Sequence, residues 1–322
     1  MIGNPPYNEY EVTDGHVSNT QCIYYKFMGL SISNYESLIV PARWISDIPK
    51  GIHPDWLYKF RTRKDIEYLV DYKRSGQVFD NVDIKGGVCY YLLNKKFKGI
   101  THRKTVDNES IQEWDAKLCI KDDIAFRDYM AYDIVSKIDT DRVETLDSRI
   151  SGTNPFMKDR APKCKFSTNW DGYKIHKDEV YNIKCFGKKI DGGFGWVSRE
   201  QLDIGKELVD KHKLLLDNVT PLDDRIITEP IYAEPGSVCL NSWHVLACSS
   251  KEEAEHFKKY LMSKTVRYLI SCIKNTVHAS KSVYRLVPIP YDIDWDSDID
   301  EQLYKRYNFS KEEIDYINRR IR

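Results

Sequence analysis

The sequence predicts an α/β architecture through residue 139 and a mixed α+β architecture over 140–322. Two observations carry this. In the first part, short apolar runs alternate with segments of helical spacing, the pattern of strands and helices taken in turn. After about residue 140, Gly, Pro, Asn and aromatic residues become common, and a polar stretch at 138–150, within KIDTDRVETLDSRISG (137–152), marks the boundary. At 322 residues the chain is long enough for two domains, each with a buried core.

Taken in order, Thr20 to Leu30 carries Ile23, Phe27 and Leu30 at helical spacing. Leu38-Ile39-Val40 is a short apolar run suited to a buried parallel strand. His53-Pro54-Asp55 opens a helical pattern through Leu57, Phe60, Ile66, Leu69 and Val70 that ends near Gly76. Val82–Ile84 and Val88–Leu93 read as strands joined at Gly86-Gly87. Asp123–Ile138 is the last helical pattern of this half. Beyond it, Tyr173–Ile175, Val180–Cys185 and Gly236–Ala247 read as short strands, and Lys251–Ser263 and Thr265–Lys274 as helices. No internal repeat or low-complexity tract stands out.

Composition excludes several classes. Hydrophobic residues make up 41% and charged residues 30%, as in an ordinary globular protein. No apolar run approaches the roughly 20 residues of a membrane span, and no basic-then-apolar leader is visible. Eight widely spaced cysteines without a Cys-x-x-Cys pair argue against a zinc ribbon and read as reduced thiols of a cytoplasmic protein. The eight histidines contain no His-x-x-x-His pair, and there is no Gly-x-Ser-x-Gly or Walker loop; no metal site is expected.

The densest chemistry is Asn4-Pro5-Pro6-Tyr7, straight after a stub of apolar strand. An exocyclic amine on adenine is a poor nucleophile because its lone pair is delocalised into the ring. The Asn4 side-chain oxygen can accept one of its N–H groups, and the carbonyl of Pro5, which has no competing backbone N–H, can accept the other. Tyr7 supplies a flat face for a base turned out of a duplex, worth about 1–3 kcal/mol per stacked base. Against this stands a plain loop, since Asn-Pro and Pro-Pro mark turns in many proteins.

Four stretches give the chain a resemblance to adenine-N6 DNA methyltransferases of restriction-modification systems, above all the large single-chain type II enzymes: Ile2–Asn8 (IGNPPYN), Ser37–Ser46 (SLIVPARWIS), Phe79–Leu93 (FDNVDIKGGVCYYLL) and Asn275–Pro288 (NTVHASKSVYRLVP). The resemblance implies that 1–139 is the later part of a Rossmann-like methyltransferase sheet and 140–322 a DNA target-recognition domain. It implies that Asn4, Pro5, Pro6 and Tyr7 activate and stack a flipped adenine, with Tyr90 or Tyr91 as a second wall of its pocket. It also implies S-adenosylmethionine as methyl donor, bound by a Gly-rich turn on strands that precede Asn-Pro-Pro-Tyr in the family. Here only Gly192-Gly193-Phe194-Gly195 is Gly-rich, and it lacks the apolar strand before and the helix after that such a turn needs. The expectation is therefore an incomplete sheet, from a fragment or a split gene, whose exposed edge calls for a separate subunit carrying the cofactor strands or leads to self-association. The alternative from another class is a non-catalytic DNA-binding specificity module.

Net charge is zero, so affinity for double-stranded DNA has to come from local patches. Residues 158–189 hold nine Lys or Arg against four acids, interleaved with Phe166, Trp170, Tyr173, Tyr181 and Phe186; residues 264–285 hold five basic residues and no acid. From these, Lys163, Lys165, Lys174, Lys188, Lys189, Lys274, Lys281 and Arg285 are the candidate DNA contacts. Residues 292–301 answer with six acids. Asp71-Tyr72-Lys73 and Asp83-Ile84-Lys85 match half of a metal-dependent nuclease site, a weak three-residue pattern.

Overall fold

The computed structural model describes residues 1–13, 16–30, 32–46, 49, 51–108, 110–120, 124–138, 143–158, 164–221, 223–274 and 276–322, with backbone alone for 10–13 and 16–20. The chain divides into two compact units, Met1–Ser136 and Lys137–Arg322. No described helix is long and apolar enough to cross a membrane.

Unit 1 is a mixed α/β structure built on a six-stranded sheet. Its elements are β1 (Ile2–Gly3), β2 (Asn8–Thr13), β3 (His16–Cys22), β4 (Tyr35–Pro41), α1 (Pro54–Arg61), β5 (Ile66–Tyr72), β6 (Val88–Asn94), β7 (Thr101–Asp107), β8 (Ser110–Ala116) and α2 (Tyr129–Ser136). The strand order is β1-β4-β6-β5-β7-β8, with β2 and β3 forming a separate hairpin. Strand β1 runs parallel to β4, and β5 parallel to β7; β6 lies antiparallel between β4 and β5. The strands β1, β4, β5 and β7 therefore share one direction, and their carboxyl ends meet at one end of the sheet. This mixed sheet is consistent with a Rossmann-like methyltransferase fold.

Four sequence expectations change. Thr20–Leu30 is no helix: β3 runs to Cys22, and only a single 3-10 turn follows at Tyr24–Lys26. Tyr24, off the expected stripe, is the most buried side chain of that turn. The pattern from His53 to Val70 splits, because α1 stops at Arg61 and Ile66, Leu69 and Val70 lie in β5. A bulge between Ile66 and Tyr68 puts Ile66 and Leu69, three positions apart, together on the core face, and that imitates helical spacing. Val82–Ile84 lies outside the strands, its loop held by Ser75, whose Oγ donates to the Val82 carbonyl at 2.7 Å and accepts from the Ile84 amide at 2.8 Å. The last helix spans only Tyr129–Ser136; Asp123, its expected first residue, lies outside the described residues. The strand at Leu38–Val40 forms within β4, and Val88–Leu93 forms as β6.

The core of unit 1 gathers on the face bearing Leu38, Val40, Cys89, Tyr91 and Leu93, with α1 adding Leu57 and Phe60. Trp44 packs edge-on against Phe60 (5.1 Å between centroids) and Tyr91 (6.3 Å), geometries worth about 0.5–1.5 kcal/mol each beyond area burial.

Unit 2 contains α3 (Leu146–Arg149), β9 (Ile183–Phe186), β10 (Phe194–Val197), α4 (Lys206–Val209), β11 (His212–Asp217), β12 (Ile231–Ala233), β13 (Ser237–Cys239), β14 (Trp243–Cys248), α5 (Lys251–Met262), α6 (Lys264–Ile273), α7 (Ile299–Arg306) and α8 (Lys311–Arg320). Two three-stranded sheets, β10-β9-β13 and β12-β11-β14, carry it. The helices at 251 and 264 form where expected because their caps are strong. Ser250 Oγ accepts from the Glu253 amide at 3.0 Å, and Asp300 of α7 accepts from the amides of Lys264 and Thr265, both at 2.8 Å. Tyr173–Ile175 contributes only a bridge, Lys174 to Trp196, and the expected 180–185 and 236–247 strands shorten to β9, β13 and β14.

Candidate functional site

Strand β1 ends at Gly3 because Pro5 and Pro6 have no N–H with which to extend the ladder. The segment Asn4–Tyr7 thus leaves the sheet at the carboxyl end of its parallel strands, the end where α/β sheets place ligand sites. Asn4 and Pro6 are exposed, Pro5 and Tyr7 half-buried. The Tyr7 carbonyl accepts from the Ile23 amide at 3.0 Å, so the loop is tied back at the base of the β2–β3 hairpin.

The Tyr7 ring meets Tyr24 edge-on, 6.5 Å between centroids, and packs on the apolar core. Its hydroxyl is buried with no hydrogen-bond partner among the described residues, as is that of Tyr24. Burial, with Cys89 nearby, pushes the Tyr7 phenol up to about 12. Cys89 is itself fully enclosed, its Sγ accepting from Trp44 Nε1 at 3.3 Å, and burial holds it as the neutral thiol.

Neighbouring loops at this end of the sheet are fixed from below. Arg127 holds Asp71 of β5 through two hydrogen bonds (2.7 and 2.5 Å) and donates to the Gly86 carbonyl at 2.6 Å. Gly86 and Gly87 both adopt positive φ, and a Cβ on Gly87 would come within 2.0 Å of the Tyr72 carbonyl oxygen. A Cβ on Gly86 would press on the Arg43 side chain at 2.6 Å. The turn before β6 is thereby locked against the ends of β4 and β5. The partnership of Asp71 and Arg127, 56 positions apart, has no local signal in the sequence. It also leaves Asp71 engaged with a guanidinium rather than open to a cation, and no three metal-ligating side chains cluster among the described residues.

Tyr90 and Tyr91 fall on opposite faces of β6. Tyr91 shares the core face with Cys89, against which Tyr7 packs, but is fully buried and donates to Glu36 Oε1 at 2.7 Å. Tyr90 is 38% exposed on the other face, beside Tyr72 at 6.3 Å. Neither therefore joins Tyr7 in an open pocket.

In unit 2 the candidate cations separate into groups. Lys165 and Lys281 are exposed; Lys163 lies outside the described residues. Lys188 pairs with Asp217 at 2.7 Å, Lys189 donates to Asn169 Oδ1 at 2.6 Å, and Arg285 is half-buried. Lys274 is 7% exposed and donates to the Pro221 carbonyl, and burial lowers its pKa. That charge is committed inside the fold. Lys174 pairs with Asp178 at 2.7 Å, which raises its pKa, and lies over the Tyr181 ring at 4.1 Å.

Around Lys174 the structure assembles a surface that the linear reading missed. Trp196 is paired across from Lys174 and from Lys184, and Phe194 from Phe186, so these side chains share one face. Lys184 lies over Phe186 and Phe194, at 4.9 and 4.6 Å, and Lys177 over Trp196 at 5.3 Å. The opposite face, with Ile183, Cys185 and Val197, is core. The available signal was the period of two in Phe194-x-Trp196 set against Lys184-x-Phe186.

No protein family's model matches the chain. An uncharacterized adenine-specific methylase of Mycoplasma pneumoniae (strain ATCC 29342 / M129 / Subtype 1) is 26% identical to it over 153 residues, covering 44% of this chain and 36% of the relative. The match thus spans about a third of that relative's length. Among solved structures, the type IIG restriction endonuclease BpuSI aligns over 86% of this chain and 42% of its own, at 11% identity and TM-score 0.35. The type IIL restriction-modification enzyme MmeI, solved in complex with DNA, aligns over 81% and 39%, at 9% identity and TM-score 0.34. A nuclease-deletion mutant of the type ISP restriction-modification enzyme LlaGI, with a DNA substrate mimic, aligns over 87% and 33%, at 10% identity and TM-score 0.35.

Proposed function

We propose that this chain supplies the target-adenine pocket and the DNA-contacting surface of an adenine-N6 DNA methyltransferase of a restriction-modification system. The observation that carries this is the position of Asn4–Tyr7. A two-proline segment leaves the carboxyl end of a parallel strand with its carboxamide exposed and a tyrosine ring alongside. The similarity to an adenine-specific methylase supports the same reading.

In this reading, Asn4 Oδ1 and the Pro5 carbonyl accept the two N–H groups of the adenine amine. Drawing both hydrogens out of the conjugated plane returns the lone pair to nitrogen and makes the amine nucleophilic. Acceptors held in place before the reaction need no reorganisation as charge develops on the amine. Pro6 keeps the loop from re-entering the ladder, and the Tyr7 ring stacks on the base.

S-adenosylmethionine, when bound, supplies the methyl group. The described residues do not form a cradle for it: Gly192–Gly195 turns from β9 to β10 at the surface of unit 2, not from a strand into a helix. The cofactor-holding strands would instead pair along the outer edge of β1, where Ile2 is 90% exposed, whether from another segment, a separate subunit or a second copy.

Duplex contacts would come from Lys165, Lys188, Lys189 and Lys281 together with the aromatic and cationic face of β9 and β10. The decisive experiment is single-turnover methylation by the enzyme completed with its cofactor-binding part. Asn4→Ala should reduce the rate about 10²–10³-fold, the usual loss when one donor or acceptor acting in the transition state is removed. An unchanged rate would reduce Asn4–Tyr7 to a turn.

A further inference from the structure

The amino end of the unit 1 sheet, opposite the Asn4–Tyr7 loop, holds a cavity of about 360 Å³. Three separate segments line it: the end of α1 (Arg61, Arg63, Lys64), the turn between β6 and β7 (Lys98) and the residue after β8 (Lys117). Its lining includes five cationic side chains and, among the described residues, no acidic one.

We propose that this cavity is a binding site for a phosphate-bearing anion, distinct from the adenine pocket. The five cations are not equivalent. Arg61 is 5% exposed and its Nε is spent on the Trp44 carbonyl at 2.7 Å, which fixes it as a wall. Arg63 is neutralised by Asp65 through bonds of 2.8 and 2.6 Å. Lys64, Lys98 and Lys117 are exposed and make no ion pair among the described residues.

A helix C-terminus attracts cations by itself, so α1 accounts for Arg61, Arg63 and Lys64. It does not account for Lys98 and Lys117, which arrive from the far side of the cavity. The carbonyls at the end of α1 would repel an anion, but Thr62 Oγ1 covers that of Tyr58, donating to it at 2.8 Å. Behind the cavity, Arg103 sits on the same face of β7 as Thr101, buried, its Nη2 donating to the Phe126 carbonyl and its guanidinium over the Trp114 ring at 4.9 Å, while Nε and Nη1 have no hydrogen-bond partner among the described residues. A buried guanidinium adds a positive field at the back of the cavity, offset in part by Asp71.

Three exposed ammonium groups around one concavity suit a ligand with at least two negative charges. A phosphate of the DNA backbone and a small phosphorylated molecule present the same chemistry. The site does not depend on the methyltransferase reading, and its failure would leave that reading untouched.

The test is calorimetric titration of the full chain with inorganic pyrophosphate at low salt. Saturable binding should weaken at least tenfold in Lys98→Ala/Lys117→Ala, survive in Lys98→Arg/Lys117→Arg, and be unaffected by Lys174→Ala/Lys188→Ala in unit 2. Absence of saturable binding, or equal affinity in the alanine pair and the native chain, overturns the proposal. Competition with a short duplex separates the sources: displacement of pyrophosphate assigns the site to the DNA backbone, and persistence of binding assigns it to a small phosphorylated molecule.

Discussion

Tyr7 of unit 1 and Trp196 of unit 2 both belong to surfaces proposed to meet DNA, and the fold holds them in opposite ways. Tyr7 is drawn into an apolar core, edge-on to Tyr24, on a loop anchored by two prolines and a hydrogen bond to Ile23. Trp196 stands on the outer face of a small sheet, with cations resting over neighbouring rings. A pocket that must orient one amine to within a fraction of an ångström needs a rigid surround. A surface that must accommodate a long polyanion needs mobile cations and tolerates slack. Substitutions in unit 1 should therefore act on stability and rate, and those in unit 2 on affinity and its salt dependence.

The largest expected effect tests the rigid side. Arg127→Ala leaves Asp71 buried and unpaired and frees the Gly86 carbonyl. Loss of one partner of a buried pair costs about 3–5 kcal/mol, so thermal unfolding of unit 1 should shift sharply downward. A shift of under a degree would mean that the turn at 86–87 is held by something else. Asn4→Ala, by contrast, should leave unfolding unchanged while removing most of the single-turnover rate, since Asn4 is exposed.

Next comes the mobile side. Lys165→Ala/Lys188→Ala/Lys189→Ala should leave folding intact and flatten the dependence of log K for duplex DNA on log salt, by about 0.9 for each phosphate no longer neutralised. Trp196→Ala should weaken binding to single strands by about 1–3 kcal/mol and to duplex by less, because stacking needs an open base face. A salt slope unchanged by the triple substitution would move the DNA surface away from this face.

Much of the candidate site was legible because its chemistry is local. Four consecutive residues name the Asn4–Tyr7 loop, and runs such as Leu38–Val40 and Val88–Leu93 are apolar enough to announce strands. What escaped was set by partners distant in sequence. Ile66, Leu69 and Val70 mimic a helix because a bulge in β5 sets Ile66 and Leu69 on one face three positions apart. The lock formed by Asp71, Arg127 and Gly86 joins three segments that share no motif. Lys274 reads as one more cation in a basic stretch, and only the fold shows it turned inward. Lys184 and Trp196 become neighbours through an antiparallel register that composition alone does not fix.

The smallest effect expected is the most discriminating for Tyr7. Its hydroxyl is buried with no partner among the described residues, a state that costs about 1–3 kcal/mol of lost hydration. Stacking uses only the ring, so Tyr7→Phe should keep methylation within a few-fold and leave stability unchanged or slightly increased. The pH dependence gives a second readout. The folded phenol titrates near 12, above the ordinary tyrosine value of 10.0, so the folded state keeps a proton that the unfolded chain releases. The stabilisation is full below pH 10 and is lost as pH rises through 12. In Tyr7→Phe that part of the alkaline decline should vanish, although other buried tyrosines, such as Tyr304, also near 12, keep the curve falling. Chemical unfolding of both proteins at pH 8 and pH 11 reads the difference. A loss of more than about 1 kcal/mol at pH 8 would show that the hydroxyl supports the fold after all, since surrendering an unsatisfied group has no reason to cost anything.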